Sequence, residues 1–134
     1  SPSTSSGQLQ PQVAVIACGS LVHNVLLAAA ELEKEGIGVV VITNHTIKPM
    51  DEEAIISAAK EAGAVITVEE HQVMGGMGSA VAEVLARTHP VPMEFVGVQN
   101  QFGESGDPRE LMEHFGMGVS SIVEAVRKVI QRKK

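Results

Sequence analysis

The sequence predicts an α/β fold of three layers, with helices on both sides of a mostly parallel sheet of four to five strands. Three observations carry that prediction. Short apolar runs recur at residues 13–18 (VAVIAC), 38–43 (GVVVIT), 64–69 (AVITVE) and 93–98 (MEFVGV). The first is continuous rather than alternating, as a strand covered on both faces is. Helical patterns separate the runs, and such alternation calls for parallel strands joined by right-handed crossovers.

Residues 1–12, SPSTSSGQLQPQ, are rich in Ser, Gln and Pro and show no periodicity. They are expected to be a linker or a cloning scar, with the domain proper at 13–134. Gly19 breaks the first strand. Ser20 is placed to cap a helix running to about Glu35, with Leu21, Val22, Val25, Leu26, Ala29 and Leu32 as its apolar stripe. Gly36 stops that helix. The second strand is rich in β-branched residues and leads into the loop NHTIKPM. Asp51 then caps a helix to Glu61, with Glu52 and Glu53 at the positive end of its dipole and Gly63 as its stop. The third strand is followed by a glycine cluster and a helix over 78–87. HPVP introduces the fourth strand. Asp107, Pro108 and Glu110 suit the N-cap, first and third positions of a short helix that stops at Gly116. Ser120 or Ser121 caps the last helix, whose apolar side is Ile122, Val123, Val126, Val129 and Ile130. Its basic end (Arg127, Lys128, Arg132, Lys133, Lys134) complements the helix dipole.

Size and composition narrow the function. A chain of 134 residues suits one domain. The net charge is -6 and the only aromatics are three Phe, so there is neither a basic face nor a stacking platform for nucleic acid. No stretch approaches the roughly 20 apolar residues of a membrane span. The single cysteine, Cys18, allows no internal disulfide and is expected to be a buried, inert thiol. A reducing cytoplasm suits it.

The chemistry-bearing stretch is VEEHQVMGGMGSAVAEVL, residues 68–85. Gly76-Met77-Gly78 imitates the opening of a dinucleotide fingerprint. Val81 nevertheless stands at the third small position, no ribose-binding acid lies at 97–100, and the cluster follows the third strand rather than the first. There is no GxxxxGK[ST], and the five histidines show no zinc spacing. The N–H groups at the helix start could hold an anion; the competing reading is close packing and turn geometry. Glu69, Glu70 and His71 could do acid–base work. No nucleophile, oxyanion hole and base come together, so no catalytic residue is assigned, and the trio is expected to shape a loop or a subunit contact.

Three blocks resemble the C-terminal domain of transketolase: TNHTIKPMD at 43–51, TVEEHQVMGGMGSAVAEVL at 67–85 and FGESGDPRELMEHFGM at 102–117. They keep the family's order, and the resemblance covers about residues 13–130. The first two are shared widely among thiamine-diphosphate enzymes; the third points to transketolase, especially its split, two-subunit form. The resemblance implies a sheet with the four strands ordered second, first, third, fourth, and an antiparallel edge strand just before this segment begins. It implies a parent enzyme that moves two-carbon ketol units between sugar phosphates, using thiamine diphosphate and magnesium held by two other domains. The domain itself is then expected to bind no cofactor, to be inactive alone, to brace a homodimer and to border the active-site entrance. Its partner would be the remaining transketolase domains or subunit. Carried over by position, Glu69, Glu70 and His71 match the EEH element. Gly75, Gly76 and Gly78, with Ser79 following, match the GGxG turn, and Phe102, Gly103, Glu104, Ser105 and Gly106 match the FGESG loop. These are expected to be anion-binding or interface positions. Gln99-Asn100-Gln101 departs from the pattern, because an acidic residue is common there. The alternatives are the equivalent domain of 1-deoxyxylulose-5-phosphate synthase or of a 2-oxoacid dehydrogenase β-subunit, or a stand-alone module for an anion or sugar phosphate.

Overall fold

The computed structural model describes residues 3–5, 9–44, 50–99 and 118–133. Five strands form one sheet: β1 (Ser3–Ser5), β2 (Pro11–Cys18), β3 (Gly38–Asn44), β4 (Val65–Glu70) and β5 (Met93–Val98). Their order is β1-β3-β2-β4-β5, with β2 to β5 parallel and β1 antiparallel to β3. The four apolar strands therefore lie as second, first, third, fourth, as the resemblance implies. The antiparallel edge, expected just before this segment begins, lies within it at Ser3–Ser5, with Ser3 opposite Ile42 and Ser5 opposite Val40. Ser-Thr-Ser carries no apolar alternation, so the sequence does not mark it as a strand.

Four helices cover the sheet: α1 (Val22–Lys34), α2 (Glu52–Ala62), α3 (Gly76–Thr88) and α4 (Val119–Arg132). Side chains of a strand alternate between faces. Val13, Val15 and Ala17 of β2 join Ile66 and Val68 of β4 under α1 and α4. Ala14 and Ile16 join Val65 on the opposite face, under α2 and α3. Each fully buried Val, Leu or Ile contributes roughly 1.5–3 kcal/mol, and two such layers around one sheet are the main stabilising force here.

The helix ends test the local reading. Asp51 caps α2 as expected, its Oδ1 accepting from the Ala54 amide at 3.0 Å. Gly36 closes α1 in a Schellman turn, where its N–H donates to Glu33 and that of Ile37 donates to Leu32. Two caps differ from expectation. A 3-10 turn, Gly19–Leu21, precedes α1, and Ser20 makes no cap bond. Neither Ser120 nor Ser121 caps α4; both lie inside it, and Gly118 is the N-cap at φ +82°. A Cβ at Gly118 would also meet both Val98 methyls, at 2.8 and 2.9 Å. Left-handed backbone and close approach together require glycine there. The predicted helix with Asp107, Pro108, Glu110 and Gly116 lies outside the described residues.

The basic residues of α4 tie elements together rather than serving only its own dipole. Arg127 pairs with Glu35 beyond the end of α1, which raises its pKa above the ordinary arginine value. Lys128 and Arg132 both reach Glu94 on β5. Lys133 Nζ donates to the Ala62 carbonyl at the end of α2 (2.8 Å) and to the Gln12 carbonyl at the start of β2 (3.2 Å).

Candidate functional site

The carboxyl ends of β2, β3 and β4 meet at one edge of the sheet. From β2 the chain passes to β3 on one side and returns to β4 on the other, so β2 and β4 flank the topological switch point, where ligands and partners of open α/β sheets usually gather. A pocket of about 510 Å³ opens there, lined by Cys18, Ser20, Asn44, Glu70, Val73 and Met77 among others.

Glu69 and Glu70 end β4 and, being adjacent on a strand, point to opposite faces. Glu70 turns toward the β2–α1 connection, where its Oε1 accepts from the Ser20 hydroxyl at 2.7 Å. That bond explains why Ser20 is not a helix cap. Cys18 Sγ lies 3.4 Å from the same hydroxyl. The thiol is half-buried and lines the pocket, so the expected full burial is corrected.

Glu69 turns the other way and is only 3% exposed. Its Oε2 accepts from the amides of Gly75 (3.1 Å) and Gly78 (3.0 Å), and its Oε1 accepts from Met77 (2.9 Å). Gly75, the N-cap of α3, has no side chain to offer. The carboxylate from the preceding strand replaces that missing cap and sits at the positive end of the helix dipole. It occupies the place an external anion would take. The corner thus offers a diphosphate few free donors and a carboxylate already in place; its residues do not fit that part of thiamine diphosphate, nor a free phosphate. Among the described residues no three His, Cys, Asp or Glu side chains come together as a metal site.

The glycines at the corner differ in purpose. A Cβ on Gly78 would lie 2.8 Å from the Phe95 ring and 3.0 Å from both Glu69 Oε2 and Thr67 Oγ1, so α3 can approach the sheet only through glycine. Around Gly76 the equivalent position is open. Thr67 is fully buried, and among the described residues its hydroxyl has no hydrogen-bond partner. His71 opens a second 3-10 turn, His71–Val73, and is exposed, packing beside Gly97 of β5 rather than entering the pocket lining. Ser79 is an exposed residue of α3, its amide donating to Gly75 within the helix. Phe102, Gly103, Glu104, Ser105 and Gly106 lie outside the described residues.

The structure thus brings Glu69, Gly75 and Gly78 together, turns Glu70 to the opposite face within the same pocket lining, and leaves His71 outside that lining. Ser20 and Asn44, which the strand-helix alternation places at the carboxyl ends of the first two apolar strands, line the same pocket; the structure adds Thr67, which the sequence did not connect to this corner. The family model for the transketolase C-terminal domain matches residues 6–122. This chain belongs to that family. It is 47% identical to the 6-deoxy-6-sulfo-D-fructose transketolase subunit SqwH of Clostridium sp. (strain MSTE9) over 90% of its own length and 38% of the relative's. It is 39% identical to the transketolase of Rattus norvegicus, covering 90% of this chain and 19% of that one. A solved split-gene transketolase, an inactive β4 tetramer, superposes with a TM-score of 0.74 at 40% identity, over 98% of this chain and 43% of that chain. The chain therefore spans less than half the length of each of these relatives. No described helix is long and apolar enough to cross a membrane.

Proposed function

We propose that this transketolase C-terminal domain braces and docks within a larger thiamine-diphosphate enzyme and does not carry its chemistry. The parent would move two-carbon ketol units between sugar phosphates in the cytoplasm, as a homodimer, with cofactor and magnesium held by its other domains. The domain would border the active-site entrance. The observation that carries this reading is the Glu69 corner. The glycine-led start of α3 resembles a phosphate cradle, yet the chain's own carboxylate fills it. What a closed corner can still do is hold a surface in shape for a partner.

A coupled ketol-transfer assay tests the proposal, with xylulose 5-phosphate, ribose 5-phosphate, thiamine diphosphate and magnesium present throughout. The chain should be silent alone and active once joined to the rest of its parent. Transfer by the 134 residues alone would overturn the reading. The stand-alone anion-binding module loses its main support with the helix start filled. Inorganic phosphate at millimolar concentration should leave the amide resonances of Gly75, Met77 and Gly78 unmoved; saturable shifts there would restore that module.

A further inference from the structure

Five large apolar side chains are exposed among the described residues, and three of them share one corner: Val73 (63%), Met74 (43%) and Phe95 (46%). The other two, Leu26 and Leu27, lie on α1. Glycines make the corner. A Cβ on Gly97 would meet Met74 Sδ at 2.6 Å, and one on Gly78 would meet the Phe95 ring at 2.8 Å. Phe95 and Gly97 share a face of β5, so Met74 and Phe95 lie side by side across it, each seated over a missing side chain. Val73 continues this ridge into the pocket, which it lines with Met77. The flanking Gly75 and Gly76 face open space. Clustered apolar side chains of this kind mark interfaces, where a few large residues carry most of the binding energy.

We infer that the Val73–Met74–Phe95 ridge is the surface through which this domain docks on the rest of its own transketolase subunit. The inference rests on the proposed function. Its occupant follows from length: the chain covers 38% of the SqwH transketolase subunit and 43% of the solved split-gene chain, so most of such a protein lies outside this domain. The occupant must present an apolar face to the ridge, with one projecting side chain entering the adjoining pocket.

Amide hydrogen exchange, compared between the 134-residue chain and the same domain within the intact parent enzyme, tests it. In the parent, amides of residues 73–76 and of β5 should exchange at least about tenfold more slowly, and those around Leu26 and Leu27 should not change. Val73→Asp with Met74→Asp in the parent should abolish the added protection, whereas Leu26→Asp with Leu27→Asp should not. Equal exchange in both contexts, or protection gained on α1 instead, would overturn the inference. So would a dimer of the isolated chain in native mass spectrometry that Val73→Asp and Met74→Asp dissolve, since the occupant would then be a second copy. Ketol transfer by the same parent enzyme is read separately. A parent without transfer counts against the function, and an active parent with an unprotected ridge counts against the ridge alone.

Discussion

Helices α2 and α3 lie on the same face of the sheet, yet their first turns are closed in different ways. In α2 the cap is local: Asp51 stands immediately ahead of the helix and binds the amide three residues on. In α3 the cap is remote along the chain and near only in space. Glu69 reaches the amides six, eight and nine residues later, across a 3-10 turn. The contrast shows how two helix starts with the same need for an acceptor can look alike in function and different in sequence. It also shows why glycine at a helix start need not mean a ligand.

Disturbing the remote cap should cost most. Gly78→Asp places a Cβ against Phe95 and a second carboxylate beside buried Glu69; it should lower stability by about 4 kcal/mol or leave the chain unfolded. Urea unfolding measures this, and a loss below about 1 kcal/mol would mean that α3 can slide off the sheet without penalty. Glu69→Gln keeps the shape but turns an amide NH2 toward helix donors. A loss of about 2–3 kcal/mol is expected, together with faster exchange at Gly75, Met77 and Gly78.

The local cap should be worth less. Asp51→Ala is expected to cost about 1 kcal/mol in thermal unfolding, because water replaces the lost acceptor at an exposed helix end. If it proves as costly as Glu69→Gln, burial is not what separates the two caps. The smallest effect should have the opposite sign. Thr67 is buried beneath the remote cap with a hydroxyl that has no partner among the described residues, and Thr67→Val exchanges that group for a methyl of similar size. A gain of up to about 1 kcal/mol is expected. A loss would reveal a hydrogen bond to Thr67 in solution, and a high-resolution crystal structure would locate it.

Much of the fold was legible because its signals are local. The β-branched runs mark the four parallel strands, and the caps and stops at Asp51, Gly36 and Gly63 depend on neighbours within one turn. The errors fall where an apt residue was claimed by something far away. Ser20 suits an N-cap, but Glu70, fifty residues on, takes its hydroxyl. Ser120 and Ser121 suit one too, but Gly118 is selected by Val98 on a strand twenty residues back. Glu69, Glu70 and His71 read as a unit because they are consecutive. The strand's two-residue period sends the glutamates to opposite faces, and the turn beyond β4 carries the histidine away.

By itself the sequence determined the α/β class, the positions of its parallel strands and, through its three motif blocks, the family. These depend on composition and spacing along the chain, which need no coordinates. Only the tertiary structure decided which strand pairs with which residue, that Ser3–Ser5 completes the edge, and that Glu69 closes the start of α3. The physical reason is range. A hydrogen bond between residues nine apart, or a contact between a glycine and a distant valine, depends on how elements pack, and packing is a property of the whole sheet.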